Sequence, residues 1–110
     1  MRYLLILIFI LPILLQSQDT SKKELEFDPN LQVIEAKASC GICKFDMDGF
    51  KCELAVKIDG ANYYVQGTDI DDYGDAHSEN GFCNAIRDAK IQGQIVDDKY
   101  IVTYFRLIDN

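Results

Sequence analysis

The sequence predicts a mainly β domain with one helix, in the order β-β-β-α-β-β. Several segments alternate apolar and polar side chains, which is the period of a strand with one buried face. Two short turn sequences join neighbouring segments into hairpins, and one further stretch has its apolar residues at helical spacing. From these three observations we expect a small, mostly β fold.

Three strands are expected in the first half of the domain. The first covers residues 31–39 and the second covers residues 53–59, and both alternate along their length. The second strand ends at Asp59 and Gly60, a dipeptide typical of a two-residue hairpin turn. Residues 63–65 then supply the returning strand of this hairpin.

A helix is expected over residues 81–90. Within it Phe82, Ala85, Ile86 and Ala89 fall at positions i, i+3, i+4 and i+7, which would place them on one apolar stripe. We therefore expect this helix to pack its stripe against the sheet.

A final hairpin is expected from residues 91–96 and 100–108, with its turn at Asp97 and Asp98. The resulting element order resembles that of the OB-fold, a small, partly open Greek-key barrel, over residues 31–107. An open antiparallel sheet with the helix packed on one face is the alternative. Because OB-folds host many functions, this resemblance assigns none.

The N-terminus has the three-part layout of a signal peptide. Arg2 supplies a positive charge, residues 4–15 are apolar, and small polar residues follow. We expect a signal peptide over residues 1–17, a flexible leader over residues 18–30 and a single small barrel-like domain over residues 31–110. An uncleaved anchor is the alternative, but a helix of about 18 Å is short for a bilayer core of about 30 Å. The mature protein is therefore expected to be periplasmic or secreted, without a stable membrane anchor.

The composition narrows the range of partners. The 110 residues carry a formal net charge of −7, which disfavours binding to the phosphates of DNA or RNA. The sequence has no Gly-rich phosphate loop, no G-x-S-x-G elbow and no H-E-x-x-H motif. We therefore expect a non-enzymatic domain whose partner is a protein or a small ligand, with no nucleic acid.

The four cysteines, Cys40, Cys43, Cys52 and Cys83, have the spacing C-x2-C-x8-C-x30-C. In a small exported domain an even number of cysteines predicts disulfides, because a small core gains from covalent cross-links. Four cysteines allow three pairings, and the spacing does not choose among them. Two disulfides are the first interpretation.

A metal site is the second interpretation. Cys40 and Cys43 have the spacing of a metal-binding knuckle, and Cys52, Cys83 and His77 offer further ligands. Four thiolates, or three with the histidine, suit structural zinc, whereas two or three with the histidine suit copper. His77 is the only histidine and lies six residues before Cys83.

Thiol redox chemistry at Cys40 and Cys43 is the third interpretation. A redox C-x-x-C pair normally begins a helix that lowers the pKa of its first thiol. Here the pair follows a strand, and the residues after it do not predict a helix. Cys83, in the first turn of the predicted helix, is the better thiolate candidate by this argument.

The loop before the predicted helix is acidic. Asp69, Asp71 and Gly74 fit positions 1, 3 and 6 of an EF-hand loop, but Tyr73 and Asn80 do not fit positions 5 and 12. A looser calcium site is a weaker alternative to a solvated acidic loop, which we favour.

Four segments carry a family resemblance: ASCGIC, CELAVKIDG, IDDYGDAH and GFCN, at residues 38–43, 52–60, 70–77 and 81–84. Together they form a CGxC…C…GDAH…GFC pattern that resembles a family of small exported bacterial proteins of uncharacterised function. The resemblance covers most of the mature domain and implies no activity. The function predicted is therefore an exported, non-enzymatic binding domain stabilised by its cysteines. Soft-metal binding is the alternative, and thiol–disulfide oxidoreductase activity is the second alternative.

Overall fold

A computed structural model describes residues 25–108 of the chain. Its elements are β1 Ile34–Cys40, α1 Gly41–Lys44, β2 Leu54–Ile58, β3 Ala61–Gln66, a 3-10 turn Ile70–Tyr73, β4 Arg87–Val96 and β5 Lys99–Leu107. The predicted signal peptide and the first part of the predicted leader lie outside these residues. Across the described part of the chain, no helix is long and apolar enough to cross a membrane.

The five strands close into a barrel in the order β1-β2-β3-β5-β4. β1 pairs with β2 on one side and with β4 on the other, both antiparallel, while β3 pairs with β5 in parallel. The predicted mainly β, OB-like barrel is therefore confirmed. The open sheet is wrong, because the β1–β4 ladder joins the two strands that would have been its edges.

Both predicted hairpin turns are confirmed. Asp59 and Gly60 have φ values of 51° and 84°, and Asp97 and Asp98 have φ values of 50° and 68°. Two successive positive φ values are characteristic of the turn whose twist matches a tight β-hairpin. Glycine and aspartate tolerate this backbone region better than branched residues do.

The predicted helix over residues 81–90 is wrong. β4 begins at Arg87, and its residues pair with β1, with Ala89 opposite Ala36. Ala89 is fully buried, whereas Ile86, which belonged to the predicted apolar stripe, is 49% exposed. A stripe of about two turns gives an isolated helix little stability, so pairing with β1 decides the conformation. From Arg87 onwards the side chains therefore alternate between the two faces of a strand.

Within residues 25–108, the one α-helix lies instead between β1 and β2. Gly41–Lys44 forms one turn with Cys40 at its N-cap. Gly41 is buried, and a Cβ atom there would lie 2.6 Å from the Tyr64 ring. The absence of a side chain at Gly41 lets this turn approach β3 closely.

A bulge changes which side chains of β5 point inwards. The β4–β5 register shifts between Gln92 and Gly93. On one side of the shift Tyr100 and Val102 are buried, and on the other side Phe105 is buried. The extra residue in β5 reverses the alternation, so a single period-two pattern does not describe the whole strand.

The end of the predicted leader contacts the barrel. The side chain of Gln92, which is fully buried, accepts a hydrogen bond from the Asp28 backbone N–H at 2.8 Å and donates to the Leu31 carbonyl at 3.0 Å. The rings of Phe27 and Tyr104 meet edge to face with centroids 5.4 Å apart. Residues just before β1 therefore cover part of the barrel surface.

Candidate functional site

The four cysteines converge at one end of β1. Because both neighbours of β1 run antiparallel to it, the end of β1 lies beside the starts of β2 and β4. Cys40 ends β1, Cys43 lies in α1, Cys52 precedes β2 and Cys83 precedes β4. Their four sulfur atoms all lie within 4.8 Å of one another. The barrel topology thus brings together residues that are up to 43 positions apart in the sequence.

The cluster holds one disulfide and two thiols. Cys40 and Cys52 are joined, with Cα atoms 5.5 Å apart, and Cys43 and Cys83 are free. The Cys52 sulfur lies 2.9 Å from the Cys83 sulfur and 3.9 Å from the Cys43 sulfur. Cys40 is completely buried, Cys52 and Cys83 are half-buried, and Cys43 is exposed. Cys52 is therefore the centre of the cluster, and Cys43 is its solvent-facing member.

Cys52 is positioned by the β1–β2 ladder. Cys40 is the register partner of Leu54, and the Gly41 backbone N–H donates a hydrogen bond to the Glu53 carbonyl at 2.9 Å. This bond extends the ladder past the last paired residues. It holds Cys52 beside the end of β1, where its sulfur meets that of Cys40.

Cys83 is positioned by a buried serine. The Ser39 hydroxyl lies 2.6 Å from the Phe82 carbonyl oxygen and 2.8 Å from that of Ala85, and Ser39 is completely buried. The Cys40 backbone N–H also donates to the Phe82 carbonyl, at 3.1 Å. These bonds attach the turn that carries Cys83 to β1. Sequence reasoning missed Ser39, although a polar residue beside a cysteine in an alternating strand was a usable signal.

Gly81 lets the same turn contact the acidic loop. A Cβ atom at Gly81 would collide with the carbonyl oxygens of Asp75 and Ala76. The Cys83 backbone N–H donates to the Ala76 carbonyl at 2.9 Å. Only a residue without a side chain allows this approach, so the loop and the turn are fixed together.

The loop between α1 and β2 rests on the outside of the barrel. The Tyr64 hydroxyl donates a hydrogen bond to the Asp48 carbonyl at 2.8 Å, and the Asn62 amide donates to the Phe45 carbonyl at 3.3 Å. Lys57 places its ammonium 5.2 Å from the centre of the Phe45 ring. Side chains of β2 and β3 therefore hold the loop that joins Cys43 to Cys52.

The surroundings of Cys83 do not favour a thiolate. Burial raises the pKa of the Cys83 thiol, and the nearby Cys43 thiol and the carboxylates of Asp71 and Asp75 raise it further. The sequence argument that the start of a helix activates Cys83 is wrong, because residues 81–84 form a turn. As expected, residues 45–49 after the C-x-x-C pair form no helix, and the one helical turn, Gly41–Lys44, covers the pair itself.

His77 lies outside the cysteine cluster. Its side chain is 83% exposed, and its Nδ1 atom is 3.9 Å from Asp75 Oδ1. Within residues 25–108, the four cysteines are the one set of three or more potential ligand side chains that converge. The structure therefore brings together four of the five ligands that the sequence suggested for a metal, and leaves the histidine in solvent.

The acidic loop uses part of its charge locally. Asp72 accepts hydrogen bonds from the Asp69 backbone N–H and from the Thr68 hydroxyl, both at 3.0 Å. These bonds cap the 3-10 turn Ile70–Tyr73. Across the described residues, the carboxylates of this loop do not gather into a set that matches a calcium site.

A groove of about 410 Å³ opens beside the cluster. It lies between the start of β2, the end of β3 and the 3-10 turn, and its walls include Cys52, Glu53, Val65 and Asp71. Solvent therefore reaches the cluster from the Cys52 side as well as from Cys43.

The fold and the site together define a small closed β-barrel with a four-cysteine cluster at one end. The chain belongs to a family of unknown function, DUF6370, whose pattern matches residues 34–108. No curated protein and no solved structure matches it. Membership of an uncharacterised family agrees with the resemblance found in the sequence. The exported location and the specific cysteine pattern of that family stay predictions.

Proposed function

We propose that this chain is an exported binding domain whose four cysteines, when reduced, bind one soft metal ion. One observation carries the proposal: all four sulfur atoms lie within 4.8 Å of one another. Two independent disulfides require closeness only within each pair. The meeting of four sulfurs at one point is the arrangement that thiolate coordination needs.

The distances suit a tetrahedral thiolate site. Zinc–sulfur bonds of about 2.3 Å imply sulfur–sulfur separations of roughly 3.8 Å around one ion. The separations from the Cys52 sulfur to those of Cys83 and Cys43 are 2.9 and 3.9 Å, so small side-chain movements suffice. Thiolates select soft ions such as Zn²⁺ or Cu⁺ over Ca²⁺ or Mg²⁺. With His77 outside the cluster, the four-thiolate set favours zinc as the first ion to test.

The disulfide and the metal site are two states of the same residues. Cys40 and Cys52 supply two of the four proposed ligands, so two-electron reduction must precede metal binding. In the oxidised state the disulfide closes a loop with a sequence separation of 12 residues. Such a cross-link stabilises a domain by roughly 3 kcal/mol. The cysteines thus stabilise the barrel when oxidised and bind the ion when reduced.

Export is part of the proposal and is supported by the N-terminal sequence alone. The apolar stretch at residues 4–15 after Arg2 has the layout of a signal peptide. Intact mass of the protein recovered from outside the cytoplasm tests this directly. We expect a chain that begins at or near Gln18, whereas a chain that retains Met1 contradicts export with cleavage.

Zinc titration of the fully reduced protein tests metal binding. We expect one Zn²⁺ per chain, measured by native mass spectrometry and by competition with a chromophoric chelator, and protection of all four thiols from alkylation. Cys52→Ser should weaken binding by more than the ten- to hundredfold typical for loss of an outer-shell partner, because it removes a direct ligand. His77→Gln is the matched control and should bind zinc like the parent protein. A parallel titration with Cu⁺ identifies the preferred ion.

Two outcomes contradict the metal site. The first is that the reduced protein retains neither Zn²⁺ nor Cu⁺ while all four thiols react with the alkylating reagent. The second is that His77→Gln weakens binding as much as Cys52→Ser does, which would move the site to the acidic loop. Circular dichroism of each variant checks that the barrel is intact.

A further inference from the structure

The disulfide contains the cysteine that solvent reaches least. Cys40 is completely buried, while the exposed cysteine of the cluster is Cys43, which is a free thiol. A bulky oxidant from solution contacts an exposed sulfur before a buried one, since thiol–disulfide exchange requires direct approach of the sulfur atoms. The most exposed cysteine, which a bulky oxidant meets first, is therefore not a member of the disulfide.

We infer that Cys43 accepts oxidising equivalents from an external disulfide and passes them through Cys52 to the buried Cys40. Cys43 reacts outside, and Cys52 connects it to Cys40 because the Cys52 sulfur is 3.9 Å from that of Cys43 and is bonded to that of Cys40 in the oxidised state. The substrate class is a disulfide, either of a small molecule or of a partner protein. This activity goes beyond metal binding and proceeds in the metal-free protein.

The relay consists of three exchange steps. The Cys43 thiolate attacks an external disulfide, which forms a mixed disulfide on Cys43 and releases one thiolate. The Cys52 thiolate then attacks the Cys43 sulfur, which forms a Cys43–Cys52 disulfide and releases the second external thiolate. Finally the Cys40 thiolate attacks the Cys52 sulfur, which forms the Cys40–Cys52 disulfide and frees Cys43. Overall one external disulfide is reduced to two thiols, and the two hydrogens come from Cys40 and Cys52.

The structure shows why the relay ends at Cys40. Cys43 lies on the single turn of α1, in contact with solvent, whereas Cys40 is the last residue of β1 and is held by a backbone hydrogen bond to Phe82. Transfer to Cys40 places one of the two disulfide sulfurs in the buried end of β1, while Cys52 stays half-buried. The exposed Cys43 thiol is then regenerated beside a disulfide that has one buried sulfur.

Oxidation of the fully reduced, metal-free protein by 2-hydroxyethyl disulfide tests the relay. This probe is uncharged, so surface charge does not bias its approach. Samples are quenched with an alkylating reagent at intervals, and the disulfides are mapped by peptide mass. We expect Cys43→Ser to slow formation of the Cys40–Cys52 disulfide at least tenfold. Lys44→Gln, on the same exposed turn, is the control and should stay within twofold of the parent rate.

A second variant makes the test independent of that rate. Cys52→Ser removes the connecting thiol, and we expect the mixed disulfide with the probe to accumulate on Cys43. Equal oxidation rates for Cys43→Ser and the parent protein overturn the relay, as does a mixed disulfide located on Cys83 in the Cys52→Ser variant. Failure of the reduced protein to bind metal leaves the relay standing, and failure of the relay leaves metal binding standing.

Discussion

Ser39 links the core of the barrel to the cysteine cluster, and its replacement by alanine is the sharpest structural test. The hydroxyl lies within hydrogen-bond distance of the Phe82 and Ala85 carbonyl oxygens and has a single proton to share between them. In Ser39→Ala the Phe82 carbonyl keeps its bond from the Cys40 backbone N–H, whereas the Ala85 carbonyl loses the hydroxyl. The expected cost combines one buried hydrogen bond with one partly unsatisfied carbonyl, or about 1–3 kcal/mol.

Urea denaturation of the oxidised protein measures this cost. Tyrosine fluorescence and circular dichroism report unfolding, since the chain has no tryptophan. For a small domain with a slope of roughly 1–2 kcal/mol per molar urea, the midpoint should fall by about 1 M. Ser78→Ala is the matched control, because that hydroxyl donates to the Asp75 carbonyl at 2.8 Å in an exposed position. It should change the free energy of unfolding by less than about 0.5 kcal/mol.

The same variant also reports on the site. If Ser39 holds the turn that carries Cys83, the reduced Ser39→Ala protein should bind Zn²⁺ about five- to thirtyfold more weakly. This loss corresponds to about 1–2 kcal/mol of free energy needed to order that turn. Ser78→Ala should leave zinc affinity unchanged. A Ser39→Ala protein with the parent's urea midpoint would refute the reasoning, because the buried hydroxyl would then contribute nothing to the fold.

Two further predictions concern the barrel. Gln92→Leu removes the side-chain bonds to Asp28 and Leu31 and should lower the free energy of unfolding by about 2–4 kcal/mol in urea titrations. The control Gln94→Leu, at an exposed position on the same strand, should lower it by less than about 0.5 kcal/mol. Equal losses from the two variants would show that the contacts of Gln92 with the residues before β1 add no stability. Burial raises the pKa of Tyr100 to about 12 from 10.0. The folded state therefore favours the protonated phenol. The stability that this preference contributes is complete below pH 10.0 and is lost as the pH rises to about 12. Tyr100→Phe should have the same free energy of unfolding as the parent protein at neutral pH. Between pH 10.0 and about 12 it should become more stable than the parent by up to about 1.4 kcal/mol per pH unit. A constant difference across this window would contradict the burial of the phenol.

Local sequence patterns predicted most strands and both hairpin turns. Alternation in residues 53–59 and the turn at Asp59 and Gly60 depend on neighbours within a few positions, so they survive in any tertiary context that buries one face. The segment from residue 81 to 90 failed because its apolar spacing fits a short helix as well as a strand. Pairing with β1, a partner more than forty residues away, settled that choice.

Four cysteines in a short acidic chain were enough to predict a cysteine-stabilised or metal-binding domain, and the disulfide and the convergence of the four sulfur atoms fit that level of description. Sequence alone left three disulfide pairings open and included His77 among the ligands. The closed barrel decided which residues meet, because antiparallel pairing on both sides of β1 brings the starts of β2 and β4 to Cys40. That placement depends on long-range backbone pairing, which spacing along the chain does not encode. The tertiary structure thus brought Cys83 beside Cys40, Cys43 and Cys52, and it left His77 exposed to solvent.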